Sequence, residues 1–183
     1  MQASPHLRIA VIGASGSGKT TMARNIAART GSEYIELDAL YWGPGWTATP
    51  LELLREQVRA AVEGERWSID GNYKIVRDIV WPRATTIVWL DFPFWLVAWR
   101  VLRRTIRRAV RRMELWNGNR ESLRTAFFSR KSILLWMVQT HGKLRREYET
   151  VLSQPEYAHL AVIHIQTPRQ AREWLASLPR DEE

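Results

Sequence analysis

The sequence predicts an α/β fold organised around a parallel sheet, and three observations carry that expectation. Short apolar runs recur at Leu7–Ile12, Tyr34–Leu37, Trp67–Ile69, Thr85–Leu90 and Leu160–Ile165, with helical stretches between them. The first run leads into a glycine-rich turn, Gly13-Ala14-Ser15-Gly16-Ser17-Gly18-Lys19-Thr20, that opens a helix. Two later helix starts, Thr49-Pro50-Leu51-Glu52 and Thr167-Pro168-Arg169-Gln170, each set a threonine at the cap, proline at the first helical position and an acid or amide three residues after the cap.

The turn after the first strand has the full G-x-x-x-x-G-K-[ST] pattern. Glycines let successive backbone N–H groups turn inward around phosphates with no Cβ in the way. Lys19 adds a point charge on the outer phosphates and Thr20 offers a hydroxyl to Mg²⁺. The helix from Lys19 through Thr21 to Arg29 points its N-terminus at the same anion. Gly13, Ser15, Gly16, Ser17, Gly18, Lys19, Thr20 and Thr21 are therefore the expected nucleoside-triphosphate contacts. A glycine turn without a ligand is disfavoured by the strand-loop-helix context.

The second strand leads to Asp38, expected at its end and so on the same rim as the phosphate loop. Asp38 is a candidate to hold or deprotonate an acceptor hydroxyl; a helix or turn cap is the alternative. Tyr41-Trp42-Gly43-Pro44-Gly45-Trp46 sets aromatics on a loop, where Trp42 and Trp46 either wall a substrate pocket or form a local cluster. A helix is expected over 50–63. The third strand ends in Asp70, followed by Gly71-Asn72-Tyr73, whose Asn72 and Tyr73 are candidate substrate contacts. A metal anchor at a strand end is required beside such a phosphate loop, and Asp70 is favoured over Asp91, which leads into Phe92-Pro93 and a long helix where it serves as a cap.

Helices are expected over 94–112 and 123–152, separated by Trp116-Asn117-Gly118-Asn119-Arg120, a candidate mobile lid within about 113–125. A last helix runs over 168–178. Arginines 100, 103, 104, 107, 108, 111 and 112 follow a three-then-four rhythm, with Val97, Val101, Leu102, Ile106, Ala109 and Val110 largely on the other side. Such a stripe runs roughly 18 Å, longer than one phosphate chain. Most of it reads as a solvated face, and the arginines nearest the loop as clamps on transferring phosphates.

At 183 residues the chain has the length of one ordinary domain. A net charge of +8 favours anionic partners without choosing among nucleotides, nucleic acid and acidic membranes. The absence of cysteine excludes disulfides and thiolate metal sites. No apolar run approaches the roughly 20 residues of a membrane span, and no secretory signal is evident, so a cytoplasmic location is expected. His6, His141, His159 and His164 show no metal or triad spacing.

The ordered set Gly13–Thr20, Leu37-Asp38-Ala39-Leu40-Tyr41-Trp42 with Pro44-Gly45-Trp46, Asp70-Gly71-Asn72-Tyr73, and Asp91-Phe92-Pro93 with Trp99-Arg100 resembles the bacterial adenylate-kinase-related proteins often labelled topology modulation proteins. The resemblance runs from about residue 8 to about residue 178. It implies a P-loop NTPase of the nucleoside-monophosphate-kinase type: a five-stranded parallel sheet in order 2-3-1-4-5 with a helical lid, using ATP and Mg²⁺. Arg100 and Arg104 look similar to the arginines at the opening of the adenylate kinase lid, with Arg103 beside them and Arg120 and Arg124 as closing partners. Asp70-Gly71-Asn72-Tyr73 resembles the Asp-Gly-Phe-Pro-Arg turn of those enzymes without its Pro-Arg part. Their Thr-Gly-Asp is replaced by Glu36-Leu37-Asp38, and a strand-end Asp38 looks more like the small-metabolite kinases related to shikimate and gluconate kinase.

The expected activity is ATP- and Mg²⁺-dependent phosphoryl transfer to a small acceptor, a nucleotide, nucleoside or hydroxylated metabolite, with Lys19, Asp38 and Arg104 as catalytic groups. The alternative is an ATP-binding protein that associates with nucleic acid through the arginine-rich helix, largely without sequence preference because no reading motif is present. Peripheral membrane binding through Trp95, Trp99 and the arginines is disfavoured, because the apolar side of the helix is needed to pack on the sheet. A GTP switch is disfavoured by the lack of an Asn-Lys-x-Asp motif.

Overall fold

The computed structural model describes residues 7–110, 116–119 and 133–181, with the side chains of 108–110, 116 and 133–141 outside the description. Its centre is a five-stranded, all-parallel sheet of β1 (Leu7–Gly13), β2 (Glu33–Glu36), β3 (Arg66–Asp70), β4 (Thr86–Leu90) and β5 (Ala161–Ile165), in the order β2-β3-β1-β4-β5. The helices are α1 (Lys19–Thr30), α2 (Leu37–Tyr41), α3 (Leu51–Ala61), α4 (Arg77–Val80), α5 (Phe94–Val110), α6 (Ile133–Leu152) and α7 (Pro168–Ser177).

Period-two alternation sorts the strand side chains between two cores. Ile9 and Val11 of β1, with Val88 and Leu90 of β4, pack against Met22 and Ile26 of α1 and Val97 and Val101 of α5. Ala10, Ile12, Ile87 and Trp89 face the other way, against Leu54 and Val58 of α3, Trp67, Trp81 and Tyr148 of α6. Burial on both faces is why the strands read as continuous apolar runs rather than as half-polar ones. The register sets Val11 opposite Asp70, Glu36 opposite Asp70 and Gly13 opposite Leu90, so Asp70 and the start of the phosphate loop share the carboxyl edge. In open parallel sheets that edge is where ligands sit.

Several expectations need correction. β2 ends at Glu36, so Asp38 lies in the first turn of α2 and not at a strand end. Thr49 does not cap α3: its N–H and hydroxyl are spent on the carbonyls of Tyr41 and Leu40, and Pro50, extended at ψ 139, becomes the cap instead. The signature at α7 does form a full capping box, with the Thr167 hydroxyl accepting from the Gln170 N–H at 3.2 Å and the Gln170 carbonyl accepting from the Thr167 N–H at 3.0 Å. α5 is not divided into an arginine side and a packed apolar side: Val97 and Val101 are buried, whereas Ile106 is 44% exposed. Of the expected lid only 116–119 falls among the described residues, as a 3-10 turn at Trp116–Gly118 and Asn119; Arg111, Arg112, Arg120 and Arg124 lie outside them, and the part of the 123–152 helix that is described is α6.

The phosphate loop is seated on α5 through Gly16, at φ +83, where an added Cβ would stand 2.4 Å from Val101 Cγ2 and 3.1 Å from the Val97 carbonyl oxygen. Gly45 has φ +66 but nothing within 4 Å of such a Cβ. Gly45→Ala is therefore expected to cost only the left-handed backbone penalty, about 1–2 kcal/mol. Gly16→Ala adds an overpacking cost of roughly 1–3 kcal/mol. Urea unfolding of the two variants side by side checks the difference, and equal losses would contradict the tight seat.

Candidate active site

α1 begins at the loop, its N-terminal turn directed at the ring of residues 13–20. The loop is closed by a Ser17 N–H to Ala14 carbonyl bond of 3.1 Å, and the Lys19 ammonium donates to the same carbonyl at 3.1 Å. Desolvation pulls the Lys19 ammonium down to about 8, opposed by the Asp38 and Asp70 carboxylates and helped by the Arg104 charge. Three charged groups from three other segments of the chain therefore act on Lys19.

The Thr20 hydroxyl donates to Asp70 Oδ2 at 2.5 Å, and the Tyr34 hydroxyl to Asp70 Oδ1 at 3.1 Å. Asp70 is almost fully buried; burial pushes its carboxyl above the usual range, and the two hydroxyl hydrogen bonds and the Lys19 charge hold it back. A hydroxyl and a carboxylate are the hard oxygen donors that Mg²⁺ accepts. Among the described residues no three His, Cys, Asp or Glu side chains converge on a point, so an all-protein cage is not built there. That donor set suits a cation that keeps water and phosphate oxygens as its other ligands.

Two guanidinium groups of α5 face the loop. Arg100 donates to the Ser17 carbonyl at 3.0 Å, lies over the Phe92 ring at 4.9 Å, and has its pKa lowered by desolvation. Arg104 donates to the Ser15 hydroxyl at 3.3 Å. Arg103 is exposed, and Thr21 is exposed on the first turn of α1.

Asn72 holds the loop's entrance: its Oδ1 accepts from the Gly13 N–H at 3.3 Å and its Nδ2 donates to the Gly13 carbonyl. Its amide thus grips the phosphate loop at Gly13. Tyr73 donates to Asp38 Oδ1 at 2.6 Å, which orients that carboxylate, and burial followed by the Asp38 charge drives the Tyr73 phenol pKa well up. From Tyr73 a wall of rings runs through Tyr41 at 4.5 Å, Trp42 at 4.7 Å from Tyr41, and Trp46 at 5.6 Å from Trp42.

The turn at 116–119 is bonded to that wall. Asn119, 4% exposed, accepts from the Trp46 N–H at 2.8 Å and donates to the Gly43 carbonyl at 2.9 Å. Asn117 donates to the Trp42 carbonyl at 2.5 Å. Trp46 and Asn117 both have positive φ, 59° and 54°, a conformation that costs a non-glycine residue and that the surrounding bonds must hold. Sequence reasoning missed Asn119 and Tyr34 as site residues. The signal for Asn119 was the Asn-Gly-Asn run, legible as a turn; for Tyr34 there was none, because strand neighbours in a parallel sheet cannot be read from one strand.

The expected cap role of Asp91 is not seen: α5 begins at Phe94, and the Asp91 carboxylate is engaged elsewhere. Its Oδ2 meets His164 Nε2 at 2.9 Å and Arg145 Nε at 3.3 Å, and the His164 ring stacks on Trp89 at 4.2 Å. This ties β4, β5 and α6 together at the carboxyl edge.

No protein-family model matches the chain, and no curated protein sequence matches it. Solved structures do share its fold. A gluconokinase from Sinorhizobium meliloti 1021 is 20% identical, with 96% of this chain and 94% of that chain covered and a TM-score of 0.52. A shikimate kinase from Acinetobacter baumannii, in complex with shikimate, is 18% identical over 93% and 89% of the two chains, TM-score 0.51. A sugar kinase from Janibacter sp. HTCC2649 is 21% identical over 94% of each chain, TM-score 0.50. The sheet order and its flanking helices are those of P-loop kinases.

The two asparagine grips act on different segments. Asn119→Ala is expected to speed hydrogen exchange at the Trp46 amide by about tenfold, the worth of roughly one buried hydrogen bond, and to leave the Gly13 amide unchanged. Asn72→Ala should do the reverse. Exchange followed by mass spectrometry or NMR checks both, and a common response of the two amides would contradict separate anchoring.

Proposed function

We propose that this chain is a kinase that transfers the terminal phosphoryl group of Mg·ATP to a hydroxyl of a small metabolite. The observation that carries the reading is the 2.5 Å contact between the Thr20 hydroxyl and the Asp70 carboxylate, beside Lys19 at the mouth of the loop. The gluconokinase, shikimate kinase and sugar kinase folds support the class, and the replacement of Thr-Gly-Asp by Glu36-Leu37-Asp38 favours a hydroxylated metabolite over a nucleoside monophosphate. The relation to adenylate-kinase-related topology modulation proteins stands as a resemblance in motifs.

In this reading the backbone of Gly13–Gly18 cradles the phosphates and Lys19 bridges the outer ones. Thr20 and Asp70 would hold the Mg²⁺, which when bound would supply positive charge against the phosphate oxygens. Arg104, with Arg100 beside it on α5, suppresses charge that develops during transfer. Asp38, held by Tyr73, accepts the proton of the acceptor hydroxyl as its oxygen bonds to the terminal phosphorus and the bond to the bridging oxygen breaks, releasing ADP. The ring wall from Tyr73 to Trp46 keeps water from the acceptor side.

Coupled ADP release with a panel of sugars, sugar acids and polyols tests the class, with nucleoside monophosphates and nucleosides as the contrast. One hydroxylated acceptor that raises turnover well above the acceptor-free rate supports the proposal; acceptor-independent or nucleotide-only turnover counts against it. Lys19→Ala is expected to lower turnover by at least about 10²-fold. Asp38→Asn is expected to lower kcat by roughly 10²- to 10⁴-fold with Mg·ATP affinity little changed.

Lys19 supplies a pH signature. With its pKa near 8, about half of the free protein carries a neutral Lys19 at pH 8, whereas a bound polyphosphate holds it protonated. Binding of a non-hydrolysable Mg·ATP analogue must then take up about half a proton at pH 8 and about a tenth at pH 7. Calorimetry in buffers of different ionisation enthalpy measures this, and equal uptake at the two pH values would contradict the assignment.

A further inference from the structure

Among the described residues, α5 has a second apolar face that neither core uses. Trp95 is 70% exposed, Trp99 59% and Ile106 44%, and Leu102 is partly exposed. Their spacing of four, three and four residues stacks them in one stripe about 16 Å long, on the side of the helix away from Val97 and Val101. The sequence-level objection to a membrane role, that this side is needed for packing, does not hold, because Val97 and Val101 do the packing and the tryptophans do not.

We propose that this stripe docks α5 flat onto an anionic lipid surface. Indole rings prefer the headgroup boundary, where the ring is desolvated and its N–H stays wet. Arg103 borders the stripe and Arg107, one turn on, lies about 40° further round the helix; both are exposed, and Phe94–Val110 contains no acidic residue, within a chain of net charge +8. An anionic bilayer is the one surface that takes both halves of this face, apolar rings below the headgroups and guanidinium groups among the phosphates. A second copy of the chain would set two such arginine rows against each other. Nucleic acid would meet the arginines but leave Leu102 and Ile106 in water. The helix is not long and apolar enough to span a membrane, so it lies in the interface. The same face accounts for the length of basic helix that one nucleotide leaves unused.

The test is co-sedimentation of the full chain with vesicles of phosphatidylcholine alone and of phosphatidylcholine with phosphatidylglycerol, at low and high salt. Binding to the anionic vesicles, weakened by salt and at least tenfold weaker for both W95A/W99A and R107E, supports the proposal. Thermal melting and Mg·ATP binding of the variants verify that fold and site are intact, both mutated tryptophans being exposed. No phosphatidylglycerol-dependent binding, or binding indifferent to W95A/W99A, overturns it. So does the finding that the tryptophans instead support a concentration-dependent dimer in vesicle-free solution or duplex DNA binding, read by sedimentation velocity and by salt-dependent titration.

Discussion

The pairing register between β1 and β3 sets Val11 opposite Asp70, and through it the Asp70 carboxylate reaches the Thr20 hydroxyl across 50 residues of sequence. A slip of one residue would turn Asp70 to the opposite face of the sheet and remove the contact altogether. The register is held by burial: Trp67 and Ile69 point into one core, and a slip would send both into the other. Asn72 then fastens the residue after the turn back onto Gly13, so the strand that delivers the carboxylate also fixes where the phosphate loop begins.

On that frame the site balances its charges before any ligand arrives. Lys19 is desolvated by the loop that surrounds it and is stabilised as a cation by two carboxylates, Asp38 from the first turn of α2 and Asp70 from the end of β3. Arg104 works against it, so two cations, Lys19 and Arg104, stand against two carboxylates, Asp38 and Asp70. Under the proposed function such a site is preorganised for the phosphates: donors are already placed, and the cost of bringing them together has been met by folding. The tyrosines play a matching part on the acidic side, Tyr34 directing Asp70 and Tyr73 directing Asp38, each as a neutral phenol whose ionisation burial opposes.

What the sequence made legible was local. The phosphate loop is a contiguous pattern whose geometry follows from its own glycines, and the Thr167 capping box needs only residues 167–170. Thr49 carries the same signature and fails, because the carbonyls of Leu40 and Tyr41 reach its hydroxyl and N–H first. Asp38 was placed one element early because Leu37 is apolar enough to extend a strand, yet it is the buried first residue of a short helix. The grip of Asn119 on the Trp46 loop spans 73 residues and depends on two backbone positions with positive φ, neither of them glycine. No periodicity or composition encodes such a contact; it appears only when the turn at 116–119 is folded back over the loop.

α5 shows why a one-sided helical wheel misled. Its arginines do recur at helical spacing, but the helix has two apolar faces and not one: Val97 and Val101 seat the phosphate loop, while Trp95, Trp99 and Ile106 lie roughly 160° around the axis. Arg100 and Arg104 sit beside the first face and touch Ser17 and Ser15; Arg103 sits beside the second and Arg107 between the two, both exposed. Arg100 and Arg104 therefore serve the loop while Arg103 and Arg107 are open to solvent, although the sequence shows all four as one rhythm. This division also makes the two proposed roles compatible, since a surface that takes the tryptophan stripe leaves the loop on the far side of the helix, open to solvent and to nucleotide.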